Sequence, residues 1–315
     1  MTIFKGPQQL EAEVILASRP ADRQNFASLV TIRLRYPRII HGEIMTHRDF
    51  SRNARSSRAV PVKTMLNEVR NSPFVPWHWG KNQRGMQASE EWDELVQFRS
   101  FWEPQDGTHR TFGQQLDHTK TAAWIAASER MVEISEAMMT AGYHKQIPNR
   151  LLEPFSWIDT LITSNRWDNF LWLRDEADAE PHIQDLARLV NQALNKMPVQ
   201  ELLPHDWHLP YITDADIAEA TTVAPKHRQQ WLCKISAARC ARISYKPFDG
   251  DASYERELER HDMLVTSKRV HASPLEHQAR PDPSYGSMHL HGNLPGWIQY
   301  RKTVPNEVHR TDVVI

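Results

Sequence analysis

Apolar and polar positions along the chain mark out its elements. Gln9 to Ser18 carries Val14, Ile15 and Leu16 in a row and predicts a strand. From Ser28 to Arg35, Val30, Ile32 and Thr31 stand among Leu29, Leu34, Arg33 and Arg35, which again reads as a strand. Pro37 ends it. Ile39, Ile40, Ile44 and Met45 then fall at helical spacing. Val62 to Val69 starts a helix, and 73 to 103 reads as an irregular aromatic loop. Thr119 to Ala141 gives the clearest helix. Its stripe Ala123, Trp124, Ala127, Met131, Ile134 and Met138 predicts a core face, and Gly142 predicts its stop. A helical stretch is expected through Trp157, Leu161 and Ile162, broken at 163–166 and resumed from Trp167 to Arg174. Pro181 suits the first turn of an amphipathic helix reaching Met197. Asp214 to Val223 predicts a short helix. These elements predict an α/β (α+β) fold, a mixed sheet with a helical bundle, in a single domain over 1–315.

Composition narrows the classes. The apolar fraction is 40%, enough for a sizeable core. Formal net charge is −1, so no global field draws the chain to nucleic acid or a membrane surface. No apolar run is long enough to span a bilayer, and the first residues lack a signal-peptide core, so a cytoplasmic protein is expected. Cys233 and Cys240 are too far apart for a Cys-x-x-Cys site and read as ordinary thiols in a reducing compartment. His205-x-x-His208 lacks an acidic helix partner, so no metal is expected. His78, without a spaced partner, reads as a surface or stacked residue.

The stretch His47 to Arg58 changes the picture. It holds four arginines, three serines, one asparagine and one histidine in twelve residues, with Phe50 the only large apolar side chain. Such a run fits neither a core helix nor a half-buried strand. A solvated basic loop is the plain reading. Yet an element of strand and short helix carries it, and arginine forks beside hydroxyls and an amide are the donors that hold phosphate.

The spacing of His47, Arg48, Ser51, Asn53, Ser56 and Arg58 resembles the signature of the flavin-dependent thymidylate synthases, the ThyX family. Three further stretches resemble the same family. Arg150 and Pro154 match one motif, Asn165-Arg166 approximates the next, and Asn169 to Arg174 matches a third. Ala241, Arg242, Ser244 and Tyr245 match a family helix, and His271-Ala-Ser273-Pro-Leu-Glu276-His277 matches a family turn. In the family the last two precede the His-Arg motif. Here they follow it, so the resemblance implies a circular permutation, with family C-terminal motifs at 28–197 and N-terminal motifs at 236–277. His291 to Arg301 matches none of these motifs.

The resemblance implies a ThyX-like fold and a chemistry. FAD would supply a hydride, 5,10-methylenetetrahydrofolate the carbon and NADPH the reducing power, turning dUMP into dTMP in a homotetramer. Ser56, Ser57, Arg58, Arg150 and Arg174 would bind the nucleotide. Arg174 and Ser56 would stand at the reacting end. Arg174 would stabilise ring charge, and Ser56, with no general base beside it, reads as a binding hydroxyl. His47, Arg48, Asn53, Asn165, Arg166, Ser244, His271, Ser273 and Glu276 would contact FAD. Three positions depart from the family: Glu43 stands for Gln, Thr46 for Arg and Ala54 for Glu. They point to an altered pocket. The alternatives are another pyrimidine nucleotide such as dCMP, a hydroxymethyl product, or a non-catalytic nucleotide-binding protein.

Overall fold

The computed structural model describes residues 2–22, 26–102, 111–244, 251–266, 270–305 and 307–308, with the backbone alone at 99–102, 111–114 and 244. Its strands are β1 (Ile3–Lys5), β2 (Glu11–Pro20), β3 (Leu29–Pro37), β4 (Ser51–Ala54), β5 (Val96–Trp102), β6 (Thr111–His118), β7 (Trp157–Ser164), β8 (Gln200–Leu202), β9 (Ala279–Pro281) and β10 (Trp297–Gln299). Its α-helices are α1 (His41–Ile44), α2 (Val62–Asn71), α3 (Lys120–Thr140), α4 (Pro148–Leu151), α5 (Trp167–Arg174), α6 (Pro181–Lys196), α7 (Asp214–Val223), α8 (Arg228–Ala241) and α9 (Tyr254–Thr266).

The main sheet runs β1-β2-β3-β7-β4, all antiparallel, with β8 added parallel to the end of β2. The sheet is therefore mixed, and the protein is of the mixed α/β class. Side-chain alternation along the strands gives it two unlike faces. Val30, Ile32 and Leu34 of β3 and Ile158 and Ile162 of β7 share one face. Onto it α6 lays Ile183, Leu186, Ala187, Val190 and Ala193, the stripe expected from its periodicity. The opposite face carries Thr31, Arg33 and Arg35 of β3 with Asp159, Leu161 and Thr163 of β7. Its central part is covered by α8 and the segment after residue 270, where Cys240 packs on Ile15 and Leu161.

Four expectations are corrected. Trp157, Leu161 and Ile162 lie on β7, not a helix. This strand sits between β3 and β4 and is buried nearly throughout, so its sequence lacks alternation and reads like a buried helix. Ser51 to Ala54, inside the polar run, is strand β4, with Ser51 and Asn53 buried and Arg52 and Ala54 half-buried. The backbone ladder to β7 makes the strand, and the buried polar groups are paired from outside the sheet. Within 73–103, irregular as expected for most of its length, Val96–Trp102 pairs with β6 in a separate hairpin. The helix α3 starts at its cap Thr119, but its fully buried positions are Ser128, Val132 and Ser135. The predicted stripe of Ala123, Trp124, Met131, Ile134 and Met138 is only half-buried, and Ala127 is exposed. No helix among the described residues is long and apolar enough to cross a membrane.

Leu186 is fully buried at the centre of the α6 contact. Leu186→Ala should cost about 2–5 kcal/mol, read as a lower urea midpoint at unchanged slope.

Candidate functional site

The short helix α1 ends in a turn that brings Glu43, Thr46 and His47 round the guanidinium of Arg174. Arg174 closes α5, where a cation suits the helix C-terminus. Its Nε donates to His47 Nε2 at 3.0 Å, its Nη1 to Glu43 Oε2 at 3.1 Å and its Nη2 to Thr46 Oγ1 at 3.1 Å. A guanidinium has five N–H groups, so two are left for a ligand. Burial, Arg174 and Arg52 hold the His47 imidazolium off, lowering its pKa to about 4. The ring is therefore neutral at pH 7 and fit to accept from Arg174. Burial and the nearby Glu180 raise the Glu43 carboxyl, against the pull of Arg174. Phe50, the one large apolar residue of the polar run, packs with His47, Trp167 and Phe170 and fixes the turn on α5. A cavity of about 780 Å³ opens here, lined by Glu43, Arg174, His78, Glu180 and His182 among others.

Arg52 points back along β4 and donates to the carbonyls of Met45 at 2.8 Å and His47 at 3.0 Å. Asn53, the next residue of the strand, is buried with both amide atoms used. Its Nδ2 donates to the Cys240 carbonyl at 2.7 Å, and its Oδ1 accepts from Ser273 Oγ at 3.3 Å. The resemblance made Asn53 and Ser273 cofactor contacts; here they brace two distant parts of the chain against each other. Glu276 pairs with Arg301, and its carbonyl accepts from Gln299 Nε2 at 3.1 Å. Gln299 also reaches Ser51 Oγ at 3.1 Å and Asn293 Oδ1 at 3.0 Å.

The nucleotide set divides. Arg174 stands with His47, before β4 begins. Ser56, Ser57 and Arg58 come after β4 ends, where Asn149 Nδ2 donates to the Ser57 carbonyl at 2.7 Å and so brings α4 and its Arg150 beside them. Ser56, Arg58 and Arg150 are exposed, and Ser57 is buried. Four strand residues, on the order of 13 Å, separate the two groups along β4.

The remaining residues fall round the first group. Asn165 Nδ2 donates to the Pro295 carbonyl at 2.7 Å, while its Oδ1 is buried with no partner among the described residues. Arg166 Nε lies 3.9 Å from Asp49 Oδ2. Arg48 and His271 are exposed. Ser244 closes a short 3-10 turn after α8, its side chain and Tyr245 lying outside the described residues. His205 is exposed, and His208 is buried with both ring nitrogens hydrogen-bonded, to Ser18 and Thr31. His78 packs against Trp77 and His182 and bonds Asp185 at 2.8 Å. Cys233 and Cys240 are buried free thiols whose pKa burial pushes up, which leaves no thiolate for attack at neutral pH.

Sequence reasoning missed Gln299, Asn293 and Arg301. They sit on or beside a three-residue strand, too short for any periodicity to show. Gln299 and Asn293 serve the buried Ser51 hydroxyl, which needs a partner, and Arg301 serves Glu276.

No protein-family model matches the chain, and no curated protein matches it. Among solved structures it is similar to the flavin-dependent thymidylate synthase ThyX from Helicobacter pylori, complexed with FAD and dUMP. The identity is 18% and the TM-score 0.33, over 54% of this chain and 68% of that one. It is also similar to a UMP/dUMP methylase, PolB from Streptomyces cacaoi, bound with 5-Br UMP. There the identity is 17% and the TM-score 0.38, over 64% of this chain and 93% of that one.

The His47–Arg174 contact carries a pH signature. The folded pKa of His47, about 4, lies below its unfolded value, so its contribution is full above about pH 6.5. It is lost as the pH falls from there towards 4. His47→Phe should lower stability at pH 7 by about 1–3 kcal/mol, because the Arg174 N–H loses its acceptor. Its stability should also fall less between pH 7 and 5 than that of the wild type. Urea titrations at the two pH values check both, and an unchanged slope against pH would refute the assignment.

Proposed function

We propose that the chain is a flavin-dependent enzyme that transfers a one-carbon unit to C5 of a pyrimidine nucleotide, with dUMP as first substrate and dTMP as product. One observation carries the reading. Asn53 and Ser273, 220 positions apart, meet in a hydrogen bond. The two motifs that resemble one family in reversed order are thus packed together, as a permuted arrangement of a single domain requires.

The donor set suits FAD. Arg48, Arg166 and His271 are exposed donors on the segments these contacts join, of the kind that hold a diphosphate, and Asn165 Oδ1 is a buried acceptor awaiting a donor. Ser244 and Glu276 would complete the set, and Asn53 and Ser273 would shape it from behind. When bound, the flavin supplies the hydride; 5,10-methylenetetrahydrofolate supplies the carbon and NADPH the electrons. The chain's own part is binding and charge. Arg58 and Arg150, with Ser56 and the Ser57 backbone, grip the nucleotide phosphate. Arg174 turns its two remaining N–H groups to the ring carbonyls, where they stabilise charge as the ring is activated. His47, neutral, keeps the guanidinium in place.

Arg174 and the Ser56–Arg58 group lie beyond opposite ends of β4. We therefore assign the phosphate group of residues to one copy and Arg174 to another, within a homotetramer in the cytoplasm. Glu43 favours a second substrate. Its carboxylate beside Arg174 offers an acceptor that suits the amino group of cytosine, so dCMP is the alternative base, and a hydroxymethyl product is the alternative outcome.

Purified protein should be yellow, or take up FAD with a matching absorbance. Protein that does neither refutes the flavin reading. Arg58→Ala should weaken dUMP binding about ten- to more than hundredfold, from the loss of about 1.5–3 kcal/mol, in isothermal titration. Arg174→Ala should lower kcat more than it raises KM. Mixed after unfolding and refolding, these two impaired variants should regain turnover, because some mixed sites then hold both arginines. No recovery in a demonstrated hetero-oligomer would place both groups in one copy.

A further inference from the structure

Beneath the turn that carries Ser273 and Glu276 runs a chain of buried side chains with no part in the reading above. Gln200 Nε2 donates to Ser18 Oγ at 3.0 Å. Ser18 Oγ lies 2.8 Å from His208 Nδ1, and His208 Nε2 lies 2.7 Å from Thr31 Oγ1. Thr31 and Thr163 hydroxyls are 2.6 Å apart, and Thr163 Oγ1 is 2.9 Å from His277 Nδ1. Ser18, Thr31, Thr163, His208 and His277 are all fully buried.

We propose that these five residues form a one-way hydrogen-bond relay that sets the tautomer of His277 and so positions the 273–276 turn against β4. The direction follows from proton counting. An amide N–H can only donate, so Ser18 Oγ accepts from Gln200 and spends its one proton on His208 Nδ1. Burial keeps both imidazoles neutral, with pKa values of about 3. A neutral ring has one N–H, so His208 carries it on Nε2 and donates to Thr31. Thr31 then donates to Thr163, and Thr163 to His277 Nδ1. His277 is left with its proton on Nε2. The reverse order gives Ser18 two donors and leaves its own proton without a place in the chain.

His277 Nε2 has no partner among the described residues, so Nδ1 alone orients the ring. The next link is covalent. His277 directly follows the 3-10 turn Ser273–Glu276, which holds Asn53 through Ser273 and Arg301 through Glu276. The relay is also tied to the far side of that turn, because the His208 backbone N–H donates to the Ala279 carbonyl at 2.7 Å. Thr163 and His208 are thus positioning residues. That the turn serves a flavin rests on the proposed function; the relay itself rests on the geometry.

The test uses full-length protein labelled with ¹⁵N at histidine. Two-bond nitrogen–proton spectra should show His208 and His277, assigned through His208→Gln and His277→Gln, as neutral rings protonated on Nε2 at pH 7 and at pH 5. Thr163→Val should release His277 into a mixture of tautomers, lower amide-exchange protection over 273–279 and weaken FAD binding several-fold. Thr163→Ser should restore all three. A wild-type His277 protonated on Nδ1 would overturn the relay. A Thr163→Val protein with unchanged tautomer, or unchanged protection over 273–279, would overturn the positioning role, as would FAD binding left unchanged in a protein that binds it. If the wild type takes up no FAD, the proposed function fails, while tautomer and exchange protection still decide the relay.

Discussion

Thr31 and Thr163 face each other at the centre of the main sheet, and neither hydroxyl meets water. A buried hydroxyl must be hydrogen-bonded or it destabilises the fold. That demand governs the arrangement of the whole chain. One face of the sheet is hydrocarbon and takes the apolar stripe of α6 by shape alone. The other face is polar at its middle and takes only a partner whose polar atoms match. His208 and His277 supply the match, and they bring α8 and the 271–299 segment to their places. Asn53 and Ser51 repeat the device on β4, with the Cys240 carbonyl, Ser273 and Gln299 as partners. The candidate site lies where these contacts meet.

Much of this was legible in the sequence. The stripe of α6, the start and stop of α3 and the strands β2 and β3 were read from local sequence, since α6 buries one face and the strands carry β-branched runs bounded by a proline. The misreadings share a cause. A strand buried on both faces, such as β7, has no alternation, so Trp157 to Ile162 imitates a buried helix. The polar run at 47–58 looked like a loop because its strand buries serine and asparagine rather than valine. The partners that make this possible are more than 180 residues away, beyond any local pattern.

Of the site, the sequence named the residues better than their work. His47 and Arg174 were both singled out, yet their mutual hydrogen bond was not foreseen. Glu43 read as a departure that alters the pocket. In the fold it holds the Arg174 guanidinium, and Ser56, Ser57 and Arg58 lie beyond the other end of β4. Asn53 read as a ligand contact, and its hydrogen bonds to the Cys240 carbonyl and Ser273 were not foreseen. Motifs mark positions under constraint, but only packing tells a group that touches the ligand from one that holds such a group still.

The bond between Ser51 and Gln299 spans 248 positions. Synthesis runs from one end of the chain to the other, so β4 leaves the ribosome long before the residue that completes it. Until then the Ser51 hydroxyl and the Asn53 amide must stay in water, and the polar face of the sheet stays open. The hydrocarbon layer can form early, once α6 has emerged, but the 273–276 turn has no finished shape until Gln299 has followed it. Such distant closure makes for slow final folding. It also means that a chain cut short before residue 299 carries Arg48, Arg58, Arg150, Arg166 and Arg174 and lacks Gln299 and Arg301, which hold the 273–276 turn.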